Sequence, residues 1–483
     1  MKRIFYLLLT GATIITTPGC KKFLDIKPKG YTIPEFYEDY QKLLSNASLI
    51  RATAAYPSYI TDDVLAGEDN DVTKSAAFAG YSVFKKSLYT FKNGQTFEPS
   101  DSDPFWEPAY NHIYTYNTVI NNILNVPDGT AQDKKRLRAE AQVARAFEYL
   151  SLVNVYAEHY DVATAATALG VPLVLSEDIN LSYERKSVAE VYAQIKKDLD
   201  EALPNLPDNV PNNFKPMKSV GYAFLSRMNL YMGDYRAALA NANEALKLNS
   251  FLLDYKIYTN KKGTTWGRVC KISDGTAFPD GKQNQESVWI RYGSSSSSHL
   301  FNEVYASSDL INAYKKDLPA GATDKRFALF FCHGESNLGG GTVSFPGREL
   351  WAPYVEFNLG FSTPELYLIA AECEARVGDP ARAIQLMNTL RDSRIENNQP
   401  LVANTSDDAL RLVLEERRRE MPFMGSTRLI DLKRLNKDPR FAKTITHTQG
   451  AQTFTLPAND KRYILPVPPK VLAVNPNIPQ YER

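Results

Sequence analysis

Residues 221–249 read GYAFLSRMNLYMGDYRAALANANEALKLN, and residues 364–394 read PELYLIAAECEARVGDPARAIQLMNTLRDSR. Each stretch spaces its apolar residues as a helix does, meets Gly-Asp, and then begins a second helical run. Gly233 and Gly378 stand where each first helix must stop, and the sequence predicts a left-handed residue there, which glycine adopts without side-chain strain. Asp234 and Asp379 follow as N-caps of the second helices. Pro380 takes a first-turn position where its missing N–H is not needed. Ala238, Ala242 and Ala245 let the helices of the first pair approach closely.

Two such pairs resemble tetratricopeptide units, which run to about 34 residues each. The two glycines lie 145 positions apart, so this is no simple tandem array. Other helices are equally plain. SVAEVYAQIKKDLDEAL from Ser187 puts Val188, Val191, Tyr192, Ile195, Leu199, Ala202 and Leu203 on one stripe, with Ser187 and Glu190 forming a capping box. WEPAYNHIYTYNTVINNIL from Trp106, the long run from Lys134 and SDDALRLVLEERRREM from Ser406 complete the set. Trp106 and Trp289 read as core.

Between the pairs the character changes. Residues 250–355 hold GSSSSSHLF and SNLGGGTVSFPG, loop-like by their glycine, serine and proline, with ESVWIRY alternating as a strand does. Residues of about 55–104 are irregular as well. The tail from about 445 to 483, with YILPVPPKVLAVNPNIPQ, is too rich in proline for helix and reads as extended chain docked on the helices. The fold class is therefore mostly α, a tetratricopeptide-like scaffold with long irregular loops and little β.

The start of the chain carries an address. Lys2 and Arg3 precede an apolar segment, Ile4 to Ile15, too short to span a bilayer, which needs roughly 20 residues. Gly19 then precedes Cys20. Residues 1–19 read as a lipoprotein signal peptide and Cys20 as the lipidated first residue of the mature chain. Thr17 stands where a leucine-like residue is commoner.

Lysine and arginine total 56 against 55 aspartates and glutamates, which gives no electrostatic footing for nucleic acid. Cys270, Cys332 and Cys373 form no C-x-x-C pair, which argues against a zinc site while leaving one disulfide open; Cys373 reads as a small buried side chain. The five histidines are scattered, with no H-E-x-x-H. The adjacent Cys332 and His333 do not read as a catalytic pair. Asp62, Asp63, Glu68, Asp69 and Asp71 make the densest acidic patch, off EF-hand spacing, and read as a solvated loop. The GGGT at 339–342 lacks a phosphate-loop ending. The Arg417–Arg419 run, interleaved with glutamates, reads as a salt-bridged helix face. No cofactor and no metal site are expected.

The tail strongly resembles the end of the SusD/RagB family of surface nutrient-binding lipoproteins. It carries Leu465-Pro466-Val467-Pro468, then Asn475-Pro476-Asn477 and Gln480. Upstream, Glu416, Arg417, Arg418, Phe423, Gly425, Arg428, Asp431 and Leu432 are similar to another family stretch, with Met424 where Glu is common and one extra residue before Arg428. CKKFLDIKPKG, FWEPAYNHIYTYNTVI and LRAEAQVARAFEYLSLVNVYAEHY are further landmarks in the expected order. The resemblance runs from Cys20 to Gln480.

It implies a single domain over 20–483, four tetratricopeptide-like pairs, and ligand-side insertions at about 55–104 and 250–355. It further implies a lipid anchor in the outer membrane facing the exterior, and no catalysis. The partner would be a SusC-like TonB-dependent transporter, for which the protein is a lid capturing an oligosaccharide, polysaccharide or peptide. Aromatic residues flanking the irregular segments are the candidate ligand platforms: Trp266, Tyr292, Phe301, Tyr305, Trp351 and Tyr354. Two other classes compete, a surface glycan-degrading enzyme with paired carboxylates and a scaffold docking peptides on its helical pairs.

Overall fold

The computed structural model describes residues 34–51, 55–178, 180–181, 183–261, 268–292, 300–337 and 341–483. Its principal helices are α1 (Trp106–Asn122), α2 (Ala131–Tyr156), α3 (Val188–Ala202), α4 (Lys218–Met232), α5 (Tyr235–Leu248), α6 (Ser308–Lys315), α7 (Thr363–Val377), α8 (Pro380–Arg394), α9 (Ser406–Glu420) and α10 (Thr427–Leu435). Helix makes up 47% of the described residues and strand 14%. The helices stack in succession: α1 on α2, α2 on α3, α4 on α5, α5 on α7, and α7 on both α8 and α9. One contiguous apolar core runs through them and takes in residues from Tyr40 to Ile478.

Local chemistry sets the helix ends. Ser187 and Glu190 form the expected capping box on α3. The Asp234 and Asp379 side chains accept from the N–H groups of Ala237 and Ala381 at 3.0 and 2.9 Å. Gly233 ends α4 at φ 77°, in the left-handed region. Gly378 does not. Its φ is −124°, and its missing Cβ makes room instead for Glu374, whose carboxylate accepts from the Asp379 N–H at 2.9 Å. A Cβ there would stand 2.0 Å from Glu374 Oε2.

Gly233→Ala is therefore expected to lower stability by about 1 kcal/mol through backbone strain alone, with Gly233→Asn losing less. The effect of Gly378→Ala should disappear in a Glu374→Ala background. Urea unfolding of the variants reads both.

Several segments depart from the sequence expectation, among them Val83–Tyr89 and α6, helices inside stretches read as irregular. Residues 331–351, read as loop, form a hairpin of β3 (Phe331–Asn337) and β4 (Thr342–Trp351). With β1 (Val64–Leu65) and β2 (Tyr305–Ala306) it makes an antiparallel sheet of order β1-β2-β4-β3. Pro346 and Gly347, which give the stretch its loop-like composition, sit where the register breaks between Ser344 and Glu349. A bulge tolerates both.

In the tail, Pro469–Val474 is helical. Proline is compatible with a first helical turn, so a Pro-Pro start does not exclude one. The rest of the tail is tied to the scaffold as expected. Leu465 N–H donates to Val155 O at 3.1 Å and Val467 N–H to Gln480 Oε1 at 3.0 Å, and Arg185 donates to the carbonyls of Tyr156 and Pro479 at 2.6 and 3.1 Å.

The arginine run is salt-bridged but buried. Arg417 and Arg419 are each 1% exposed. Glu416 receives Arg326, Arg391 and Arg419 at 2.7, 2.8 and 2.8 Å. Arg417 and Arg434 share Asp431 at 2.9 and 2.8 Å. The acidic patch is likewise not a solvated loop. Asp62 meets Arg428 and Lys443 at 2.8 and 2.6 Å, and Asp63 meets Arg418 at 2.7 Å, which pins the approach to β1 onto α9 and α10. Burial opposes the charge of Asp62, yet Arg428, Arg418 and Lys443 outweigh it and hold its carboxyl well below the usual range. Glu68 and Asp69 alone of the patch are exposed.

Candidate functional site

The face of the four-stranded sheet carries a second, small apolar cluster of Ala76, Tyr305, Cys332, Phe345, Leu350 and Ala352. Half-buried Phe301, Val343 and Tyr354 pack against it. The Phe301 and Tyr354 rings meet edge to face, 5.2 Å between centres at 90°. The backbone there is held in sparsely populated conformations. Leu300, Asn302 and Tyr354 have φ of 53°, 59° and 48°, none of them glycine. Such residues are retained where surrounding bonds over-determine them. Here Asn302 N–H donates to Trp351 O at 2.9 Å, Ser75 Oγ donates to Asn302 O at 2.8 Å, and the Tyr354 hydroxyl lies 3.1 Å from Ser336 Oγ. Asn302 Oδ1 is buried with no donor among the described residues.

Polar groups surround the aromatic pair. Tyr305 Oη contacts Thr73 Oγ1 at 2.6 Å and donates to Asp71 Oδ1 at 2.9 Å. Burial and the neighbouring Asp71 carboxylate, opposed by the Thr73 hydrogen bond, push the Tyr305 hydroxyl up to about 12, so it stays protonated. Arg348 pairs with Asp71, and His333 with Glu349. An aromatic surface beside fixed donors and acceptors suits a sugar ring, whose C–H faces pack on rings while its hydroxyls are hydrogen-bonded.

A deeper cleft lies between the scaffold and the irregular segments. It encloses about 130 Å³ and is lined by Phe147, Tyr231, Tyr255 and Trp351 among others. Several of its charged groups are committed to ion pairs. Arg227 Nε binds Glu365 at 2.8 Å, Arg326 binds Glu420 at 2.8 Å, and Glu286 receives Arg394 at 2.6 Å. Charges satisfied in this way hold the protein together and leave little for a ligand. No group of three or more His, Cys, Asp or Glu side chains among the described residues is placed to hold a metal ion.

Two family models match the chain. Residues 22–230 fit one described as starch-binding, associating with the outer membrane, and residues 363–482 fit the SusD family. The chain belongs to the SusD/RagB family.

A relative named SusD-like protein P38, from Formosa agariphila, is 24% identical over 402 residues, 71% of this chain and 74% of the relative. A SusD superfamily protein from Bacteroides thetaiotaomicron has a similar solved structure, with a TM-score of 0.68 at 20% identity over 93% of this chain and all of the other. A putative sugar binding protein from Bacteroides vulgatus gives 0.66 at 20% identity, over 93% and 99%. At these identities the solved structures speak for the SusD fold alone.

Within this SusD-like frame the sequence candidates separate. Phe301, Tyr305 and Tyr354 meet at the sheet face, but only Phe301 and Tyr354 are partly open there. Tyr305 is fully buried and offers its hydroxyl network rather than a ring face. Trp351 is buried too, stacked on Phe357 at 5.7 Å and tilted against Phe423 at 5.1 Å, and it lines the cleft. Tyr292 lies elsewhere, against Phe214 at 5.3 Å and over Gly281. Burial and the nearby Glu356 push its hydroxyl up to about 12. Trp266 and Cys20 lie outside the described residues. Trp106 and Trp289 are core, as read.

Cys332 is a buried member of the small cluster and His333 turns to Glu349, so the two do not act together. Cys270, Cys332 and Cys373 are free thiols, so the disulfide left open by the sequence is not formed. Sequence reasoning missed Asp71, Asn302 and Arg348. Arg348 sits in a Pro-Gly stretch read as loop, Asp71 in a patch read as solvated, and no residue type announces a left-handed asparagine.

Proposed function

We propose that this chain is a carbohydrate-binding lipoprotein of the outer membrane, anchored through Cys20 and working as one unit over residues 20–483. Its partner would be a SusC-like TonB-dependent transporter, over which it closes as a lid on captured glycan. The partly open Phe301–Tyr354 pair, set among hydrogen-bonding side chains on the sheet face, carries the reading. The family description as starch-binding and the sugar-binding relative support it. No helix among the described residues is long and apolar enough to cross a membrane, and in this reading acyl chains on Cys20 hold the protein at the membrane surface. Lid and transporter would share the ligand, so its presence would favour closure. The protein performs no chemistry in this scheme.

The test uses protein beginning after Cys20, run through gels containing a panel of polysaccharides, with reducing sugar assayed in parallel. Retardation by a glycan without release of sugar is the expected result. Release would make the chain an enzyme. Retardation by none of the panel, with capture of peptides instead, would replace glycan by peptide as cargo.

A further inference from the structure

One cation on the sheet face is already held still. Arg348 follows Gly347, whose φ of 76° turns the chain within the break in β3–β4 register. Its guanidinium pairs with Asp71 and lies 5.0 Å from the centre of the Tyr305 ring. Asp71 is itself fixed. Besides Arg348 it accepts from Tyr305 Oη at 2.9 Å, from Thr73 Oγ1 at 2.6 Å and from Thr73 N–H at 2.8 Å. Three separate segments thus converge on one side chain. The Asp71 side chain is 4% exposed, whereas that of Arg348 is 30% exposed. The buried end is an anchor and the open end is available.

A guanidinium has five N–H donors in a rigid fork, which suits two neighbouring oxygen atoms. An arginine free in solvent loses rotamer entropy when a ligand immobilises it. Arg348 has met much of that loss on folding, so each bond it makes to a ligand counts more fully. Its charge is matched by Asp71. Nearby, Lys85 pairs with Glu303 at 2.8 Å and His333 contacts Glu349. The five N–H donors of Arg348 outnumber the three oxygens that Asp71 and Tyr305 offer it.

We propose that Arg348 is a specificity-determining residue of this face, donating to two neighbouring hydroxyls of an uncharged sugar ring, with Asp71 and Tyr305 as its positioning residues. The inference rests on the glycan-binding reading above.

Affinity electrophoresis separates the two. The panel holds neutral glycans beside glycans bearing carboxylate or sulfate, and the variants are R348Q, D71N and the double variant. Wild-type protein is expected to bind a neutral glycan, equally at about 0.05 and 0.5 M salt. R348Q should weaken that binding about 30-fold with its far-UV CD unchanged. D71N should weaken it in the wild-type background and add nothing to R348Q, since a positioning residue acts only through the group it positions. Binding of a neutral glycan as tightly by R348Q as by wild type would overturn the inference and leave the glycan reading standing. Binding restricted to acidic glycans and lost in salt would overturn the choice of hydroxyls. Failure of wild-type protein to bind any glycan would remove the reading and the inference together.

Discussion

Glu416→Ala is expected to lower the free energy of unfolding by about 4 kcal/mol, the range in which removing one partner of a buried ion pair falls. Glu416 is fully buried and is met by Arg326, Arg391 and Arg419. Without it those guanidiniums, each 2% exposed or less, would keep their charge in a medium that solvates it poorly. Glu415, the neighbour on α9, is the control. It pairs with Lys316 at 2.6 Å, where the lysine is half exposed, and its loss should change stability by less than about 1 kcal/mol. Urea midpoints of the two variants measure the contrast, and near-equal losses would mean that the buried network is not what holds α9 in place.

The same network sets the response to acid. Burial opposes ionisation of Glu416 and Asp431, yet the arginines outweigh it in both cases. Asp431 is held at a pKa of about 2, against an ordinary 3.8. A carboxyl depressed on folding stabilises above its unfolded pKa, and that stabilisation drains as pH falls toward the folded value. For Asp431 the window is about pH 4 to 2, and the contribution at stake is about 2 kcal/mol. Glu416, depressed in the same direction, begins to lose its share below about pH 4.5. Wild-type protein should therefore lose stability steeply in acid, and Glu416→Ala less steeply, because part of that dependence is already gone.

Phe301→Ala should abolish most glycan retention, with affinity falling about 30-fold, the size expected when an aromatic anchor is truncated. Tyr354→Ala should do the same, because each ring holds the other edge to face. Tyr354→Phe keeps the ring and loses the contacts to Ser336 and Asn337. It should sit between wild type and Tyr354→Ala. Affinity electrophoresis against the glycan that retards wild type gives all three values. Unfolding by urea should remain cooperative in each variant, since the rings are only half buried. Unchanged retention by both alanine variants would move the ligand off this face.

Some of this protein can be read along the chain because the relevant physics is local. Where α4 ends, where Asp234 and Asp379 cap, and how Ser187 and Glu190 close a helix start depend on residues three or four positions apart. The Leu-Pro-Val-Pro tail and the ordered landmarks place the chain in its family for the same reason. Composition misled where one residue type serves two geometries. Pro346 and Gly347 look like loop and form a bulge, and Pro469 looks like a helix breaker and starts a helix. Gly378 looks like Gly233 and serves side-chain room instead of backbone freedom.

By itself the sequence determined the helical pairs and the family, because periodicity, caps and ordered motifs are written within short spans. Only the tertiary structure decided which aromatics are open, that the arginine run is buried, and that Asp71, Tyr305 and Arg348 meet. Asp71 and Arg348 stand 277 positions apart. Burial and charge pairing at such separations depend on how the layers close over one another, and no local pattern encodes that.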